Sequence, residues 1–172
     1  GMQIAKALGA KLIVGSSTNP ERRERLGEFG ADLVIDSLDA NWVDHVLEAT
    51  DGKGVDLVVD QISGYAANGN LAATRILGRI VNVGRLGGFT GDFNFDLHAL
   101  RRIDYIGVSF RSRSVEEVRE VVDAMKADLW EAVEAGHLTL PIDSEFGLDD
   151  VEKAVEHMKA NKHFGKIILN VL

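Results

Sequence analysis

Hydroxyl and guanidinium side chains follow an apolar stretch near the start of the chain. Ser16 and Ser17 come after the apolar residues 12–14, and Arg22 and Arg23 follow shortly afterwards. Hydroxyl and guanidinium groups donate hydrogen bonds to phosphate oxygens, whereas a carboxylate at this place would repel a phosphate. The segment therefore predicts a phosphate-binding site.

The two arginines also have a purely structural interpretation. Arg22 and Arg23 lie in the helical sequence ERRER, where they could be solvated and paired with Glu21 or Glu28 at helical spacing. Cations in the first turn of a helix oppose the helix dipole and so need another reason to be there. This point favours the phosphate hypothesis.

Three further segments carry candidate binding residues at the ends of predicted strands. They are Asp60, Gln61 and Ile62, then Val83, Gly84 and Arg85, and finally Phe110 and Arg111. Gly84 would allow a ligand to approach the backbone where a side chain would block it. The alternatives stay open: Asp60 as a backbone acceptor in a turn, the glycines as ordinary loop residues, and the arginines as solvated groups.

Strand and helix patterns alternate along most of the chain. Strands are predicted at 11–15, 32–36, 55–60, 79–83 and 105–110, and helices at 20–29, 41–50 and 65–77, closed by Gly30, Gly52 and Gly78. Asn19 followed by Pro20 is a predicted N-cap with proline at the first helical position. Such alternation is typical of an α/β fold with a doubly wound parallel sheet. A helix at 3–8 precedes the first predicted strand, with no strand and no glycine-rich turn before it. We therefore expect a Rossmann-type sheet that lacks its first strand.

The C-terminal part has a different pattern. Ser114 and Glu117 form a predicted capping box that starts the longest helix, and Gly136 follows its last apolar position. A short extended piece, a helix at 150–159 and a strand at 166–171 come next. We expect a dinucleotide-binding domain at 3–136 and a strand–helix–strand appendage at 137–172.

Composition narrows the classes of protein. With 172 residues, 45% of them hydrophobic, the chain can bury one core. Its net charge of −8 is spread without long runs, which argues against nucleic acid or an anionic membrane surface as a partner. The sequence has no cysteine, so disulfides and thiolate chemistry are excluded, and its five histidines show no metal-binding spacing. We expect a cytoplasmic protein without zinc.

Several segments together resemble the medium-chain dehydrogenase/reductase superfamily, and within it the NADPH:quinone oxidoreductases and related zinc-free reductases. These segments are QIAKALGAK, ERRERLGEFGADLVID, GKGVDLVVDQISG, LGRIVNVGRLGG and GLDDVEKAVEHMKANKHFGKIILNV. The resemblance implies NADP as cofactor and hydride transfer to a small-molecule substrate, a quinone or an enone. It also implies that the catalytic half of the family lies outside this sequence. We therefore expect weak cofactor binding and an isolated chain that is catalytically incomplete.

The resemblance also suggests roles for the candidate residues. The end of the second Rossmann strand carries serines and arginines where an NAD-specific domain has an acid, which suits a 2′-phosphate. The segment at Asp60 would lie near a ribose, the segment at Gly84 near the nicotinamide, and the segment at Phe110 near the substrate entrance. Phe164, Gly165 and Lys166 resemble the family's closing segment, which packs against the cofactor.

The absent strand has a consequence for assembly. In the strand order 3-2-1-4-5-6 it would lie between strands 11–15 and 55–60, leaving two unpaired backbone edges. We expect these strands to pair directly, in preference to insertion of 166–171 or of a partner's strand. Family dimers form through the strand that corresponds to 105–110, so we predict a homodimer or larger assembly. The competing hypothesis is a non-catalytic dinucleotide-binding or self-association module.

Overall fold

The computed structural model describes residues 1–171 and shows alternating helices and strands. The helices are α1 (Met2–Ala7), α2 (Pro20–Arg25), α3 (Trp42–Ala49), α4 (Ala67–Ala73), α5 (Phe95–Arg101), α6 (Val115–Glu134) and α7 (Val151–Lys159). The strands are β1 (Val14–Ser16), β2 (Leu33–Ile35), β3 (Val55–Asp60), β4 (Thr74–Asn82), β5 (Asp104–Gly107), β6 (Ile142–Gly147) and β7 (Lys166–Asn170). Contacts divide the chain into two compact units, 1–128 and 129–172. This division falls inside α6, earlier than the boundary expected at Gly136. Leu172, the end of the expected appendage, lies outside the described residues.

The first unit contains two parallel sheets. β1 pairs with β2, and β3, β4 and β5 pair in that order. The α/β class and the parallel strands are confirmed. The predicted direct pairing of β1 with β3 is wrong, because no hydrogen-bonded ladder joins them within residues 1–171, and β7 pairs with β6 instead of filling this place.

The two sheets share apolar packing. Val14 of β1 and Val55 of β3 both pack against a buried cluster that includes Val46 of α3 and Ala73 of α4. Burying a side chain of this size contributes about 1.5–3 kcal/mol. The strands are thus held near the same helices by side-chain burial, which explains why the sheets can share a core without backbone pairing.

The three-stranded sheet is covered on one face only within the described residues. Val58, Ile80 and Tyr105 lie in register on one face and pack with the buried Leu71 of α4. On the opposite face, the exposed apolar side chains of β3 and β5 are Leu57, Val59 and Ile106. A doubly wound parallel sheet normally buries both faces, so this face is open to further packing.

The predicted helix at 65–77 is wrong at its C-terminal end. α4 ends at Ala73, and β4 begins at Thr74, which is fully buried and pairs with Val55. The ladder is irregular between Val55 and Leu57, so Gly78 lies inside β4 and does not close a helix. Burial of Thr74 against the neighbouring strand outweighs the helical pattern of residues 75–77.

The predicted helix N-caps are confirmed. Asn19 accepts the backbone N–H of Arg22 with Pro20 at the first helical position, as predicted. Ser114 and Glu117 exchange the two bonds of a capping box at 2.7 and 3.2 Å. α5 was not predicted, although Asn94 caps it in the same manner as Asn19 caps α2.

The second unit contains the predicted strand–helix–strand arrangement. β6 and β7 pair in parallel, and α7 connects them. Ala154 of α7 is buried against this unit. The fold class predicted for this part is therefore confirmed.

Candidate functional site

The turn after β1 is organised by Ser17 and Asn19. The N–H of Ser17 donates to the carbonyl of Ile35, which continues the β1–β2 ladder beyond Ser16. The N–H of Asn19 donates to Oγ of Ser17 at 3.3 Å, and Asn19 then caps α2. Ser16 is exposed beside this turn. The predicted phosphate-binding segment is thus an ordered turn at the carboxyl end of a parallel strand.

The side chain of Arg23 forms hydrogen bonds to other groups of the protein. Its Nη1 donates to the carbonyl of Ser17 at 2.8 Å and to Oδ2 of Asp36 at 2.7 Å. Asp36 directly follows β2. The fold therefore places a carboxylate beside the turn after β1, although the sequence of that turn contains no acid. Glu28 pairs with Arg25 at 3.3 Å, and the ion pair of Arg23 is with Asp36.

Asp60 organises the turn after β3. Its side chain is buried, and Oδ1 accepts the N–H groups of Ile62 and Ser63 at 2.8 and 2.9 Å. The hypothesis of Asp60 as a backbone acceptor in a strand-to-loop turn is confirmed by these bonds. Within residues 1–171, Oδ2 of Asp60 is buried without a hydrogen-bond partner.

A polar network that the sequence did not reveal lies next to this turn. Ser63 has a positive φ of 56° and donates from Oγ to the carbonyl of Gly84 at 2.7 Å. Nδ2 of Asn82 donates to Oγ of Ser63 and, at 3.4 Å, to the hydroxyl of Tyr105. These residues come from three successive parallel strands or their ends. Only the register of β3, β4 and β5 brings them together.

The loops that follow β3 and β4 run side by side. The N–H groups of Val83 and Gly84 both donate to the carbonyl of Asp60, and that of Leu86 donates to Gln61. A Cβ on Gly84 would lie 2.4 Å from the carbonyl oxygen of Gln61. The sequence predicts that Gly84 allows a ligand to approach, whereas the structure shows the approach of another backbone segment. Asp60, Gln61, Ile62, Val83 and Gly84 therefore lie together at the carboxyl ends of β3 and β4.

A shallow cavity of about 420 Å³ lies beside the end of β5. Arg85 and Arg113 line it, together with backbone near Val108 and the side chain of Glu117. Arg85 donates to the carbonyl of Val108 at 3.4 Å, and Arg113 lies over the ring of Phe110. The two guanidinium groups outweigh the single carboxylate of Glu117, so the charge of the lining residues is net positive. Arg111 follows Phe110 in the same loop, but it is not one of the residues that line the cavity.

The predicted closing segment lies in the second unit. The N–H of Phe164 donates to Oδ1 of Asp143 at 2.7 Å, and His157 of α7 contacts Oδ2 at 2.7 Å. The hydrogen bond from Phe164, followed by that from His157, lowers the pKa of Asp143 to about 2. Gly165 has a φ of 111°, and its backbone lies against Pro141, whose carbonyl accepts the N–H of Lys166. Phe164, Gly165 and Lys166 thus form a fixed connection within this unit.

Two further properties of the described chain concern metal ions and membranes. Within residues 1–171, no group of three or more His, Asp or Glu side chains is placed to hold a metal ion. Among the helices of this described part, none is both long enough and apolar enough to span a membrane.

The parallel strands and the interlocked loops at their carboxyl ends define the class of Rossmann-like, dinucleotide-binding α/β domains. Residues 1–127 match the sequence model of the family described as zinc-binding dehydrogenase. The chain belongs to this family, the cofactor-binding domain of the medium-chain dehydrogenase/reductase superfamily. The predicted resemblance is therefore confirmed.

Individual proteins that are similar to this chain are longer than it. A phthioceranic/hydroxyphthioceranic acid synthase of Mycobacterium bovis is 28% identical over 169 residues, which are 98% of this chain and 8% of the synthase. A quinone oxidoreductase of Pseudomonas syringae has a TM-score of 0.80 at 25% identity, covering 99% of this chain and 52% of that structure. A mycobacterial protein complexed with NADPH also has a TM-score of 0.80, at 21% identity, with 99% and 52% covered. The chain thus spans about half the length of these solved structures.

Proposed function

We propose that this chain is the cofactor-binding portion of an NADPH-dependent reductase similar to quinone oxidoreductases, which transfers hydride to a quinone or an enone. The observation that carries this proposal is the ordered surface at the carboxyl ends of β1, β3 and β4. Ligands of doubly wound sheets bind outside these strand ends. The fold shared with a protein complexed with NADPH supports the choice of ligand.

The turn after β1 fits a 2′-phosphate. Oγ of Ser17 accepts a hydrogen bond from Asn19 and keeps its own proton for donation, and Ser16 is exposed beside it. Arg22 at the start of α2 adds a guanidinium, which remains charged at all relevant pH values. These donors would hold the phosphate that distinguishes NADPH from NADH. Bound NADPH supplies the hydride.

The remaining candidate residues would position the nicotinamide half of the cofactor. The segments Asp60–Ile62 and 83–85 would hold the ring and its ribose. Phe110 and Arg111 belong to the loop whose residues Ser109, Ser112 and Arg113 line the cavity. For the segment 164–166 of the second unit, the resemblance to the family is what supports a cofactor-binding role. The positive charge of Arg85 and Arg113 would favour an anionic or polarised group at the cavity.

We also propose that the substrate pocket needs residues beyond these 172. The chain covers about half of its solved relatives, and a fixed acceptor orientation is required for efficient transfer. A glycine-rich phosphate loop would belong to the same additional residues. Each hydrogen bond to a charged group is worth about 1.5–3 kcal/mol, so two or three missing bonds would weaken cofactor affinity by orders of magnitude.

A titration of the chain with NADPH and with NADH tests the proposal. We expect NADPH to bind more tightly, and Arg22→Ala to abolish that preference. Arg25→Ala is the matched control, since Arg25 lies on the same helix and pairs with Glu28. Equal or tighter binding of NADH would refute the 2′-phosphate site. A quinone-reduction assay should show negligible turnover, and robust turnover would refute the proposed incompleteness.

A self-association module is the second candidate function, favoured by the exposed face of the three-stranded sheet. Leu57, Val59 and Ile106 are exposed there, and β1 and β3 each carry an edge without a ladder partner in the described chain. Exposed edges and apolar faces promote association between copies. We propose a homodimer or larger assembly, and a clean monomer in light scattering at micromolar concentration would count against it.

A further inference from the structure

The side chain of Arg23 has a defined set of partners within the protein. One nitrogen of Arg23, Nη1, contacts both the carbonyl oxygen of Ser17 and Oδ2 of Asp36, at 2.8 and 2.7 Å. The side chains of Arg23 and Asp36 are 24% and 31% exposed. Solvent and salt screen such a partly buried pair less than a fully exposed one. Arg23 thus joins the turn after β1 to the end of β2.

The turn is fixed at three points of Ser17. Its N–H donates to Ile35, its carbonyl accepts from Arg23, and its Oγ accepts from Asn19. Asp36 is fixed as well, because its Oδ1 accepts the N–H of the residue two positions later at 3.0 Å. The location of the Ser17 hydroxyl therefore depends on the pair formed by Arg23 and Asp36.

The charge of Asp36 makes Arg23 a poor ligand for phosphate. The Asp36 carboxylate neutralises Arg23 and would repel a phosphate dianion that approached the same Nη1. A group that already donates to a carbonyl and a carboxylate also has fewer N–H donors left for a ligand. Arg23 is therefore suited to fixing the turn, and less suited to binding phosphate itself.

We infer that Arg23 and Asp36 are a positioning pair that holds the Ser17 turn against the end of β2, so that Arg23 acts on the cofactor site through this turn and not as a phosphate ligand. The inference rests on the proposed NADPH function for its cofactor part. The geometric part, the fixing of the turn, concerns the free protein. The two parts can be measured separately.

The test uses the full chain with Arg23→Ala, Asp36→Ala and the double variant, each titrated with NADPH and NADH. Loss of a partly exposed ion pair costs little, so we expect both affinities to fall by about three- to fivefold in each single variant. The ratio of the two affinities should stay unchanged, and the double variant should be no worse than either single one. Arg22→Ala should instead weaken NADPH alone.

Amide hydrogen exchange of the free chain supplies the second readout. The amides of Ser17 and Asn19 should exchange about three- to fivefold faster in Arg23→Ala and in Asp36→Ala, and Arg25→Ala should leave them unchanged. If Arg23→Ala weakens NADPH but not NADH, Arg23 is a phosphate ligand and the inference is overturned. Unchanged exchange in both variants also overturns it. If the unsubstituted chain binds neither cofactor while exchange accelerates as expected, the proposed function fails and the positioning pair stands.

Discussion

Replacing Gly84 by alanine tests whether the loops after β3 and β4 are packed against each other in the free protein. The added Cβ would lie 2.4 Å from the carbonyl oxygen of Gln61 and 2.8 Å from its Oε1. A separation under 3.0 Å is essentially never seen for a Cβ, so the Gln61 backbone must move. The same carbonyl accepts the N–H of Leu86, and that bond would be strained by the movement.

The expected cost follows from this overlap. Overpacking in a well-packed region typically costs about 1–3 kcal/mol. For a unit of this size the loss corresponds to a fall in melting temperature of about 3–10 °C. Gly84 has no positive φ, so steric overlap and not backbone strain is the source.

Thermal and urea denaturation of the chain without cofactor provide the assay. Gly107→Ala is the matched control, because Gly107 lies in β5 and a Cβ there would meet nothing within 4 Å. We expect that control to stay within about 0.5 kcal/mol of the unsubstituted chain. Equal stability of the two variants would refute the packing explanation. A defect of Gly84→Ala seen only in cofactor binding would instead favour direct contact with the ligand.

Three further predictions concern other parts of the molecule. The pKa of Asp143 is lowered to about 2 in the folded chain from an ordinary value of 3.8, so its stabilising effect is present above pH 3.8 and is lost as the pH falls towards 2. When the denaturation midpoint is measured against pH, Asp143→Asn should lack this acid-dependent component, and the control Asp149→Asn should retain it. The same dependence on acid pH in Asp143→Asn and in the parent chain would contradict the assignment. Val59→Lys, at a side chain 53% exposed, should lower the apparent mass in light scattering, and an unchanged mass would show that this face does not mediate association. Ser114→Ala removes one half of the capping box and should cost about 0.5–2 kcal/mol in urea denaturation, whereas no loss would indicate that the N-terminus of α6 is stabilised otherwise.

Much of the fold could be predicted from local sequence signals. The caps at Asn19 and Ser114 were correct because a cap depends on a side chain and a backbone N–H three residues apart. The alternation of strands and helices predicted parallel sheets, since each strand needs a crossover before the next. The end of α4 was not predicted, because burial of Thr74 beside β3 overrides a local helical pattern.

In the candidate site, too, some features follow from the local sequence and others follow only from the tertiary structure. The sequence by itself determined which residues follow each strand, and hence that Ser17, Asp60 and Gly84 lie at carboxyl ends of strands. Only the tertiary structure placed Asp36 against Arg23 and the Gln61 carbonyl against Gly84. These contacts join residues separated by a helix or a strand crossover, and the register between parallel strands decides which strand ends meet. Side-chain types are fixed by the chain, but the partner that neutralises a charge or fills the space beside a glycine is fixed by packing.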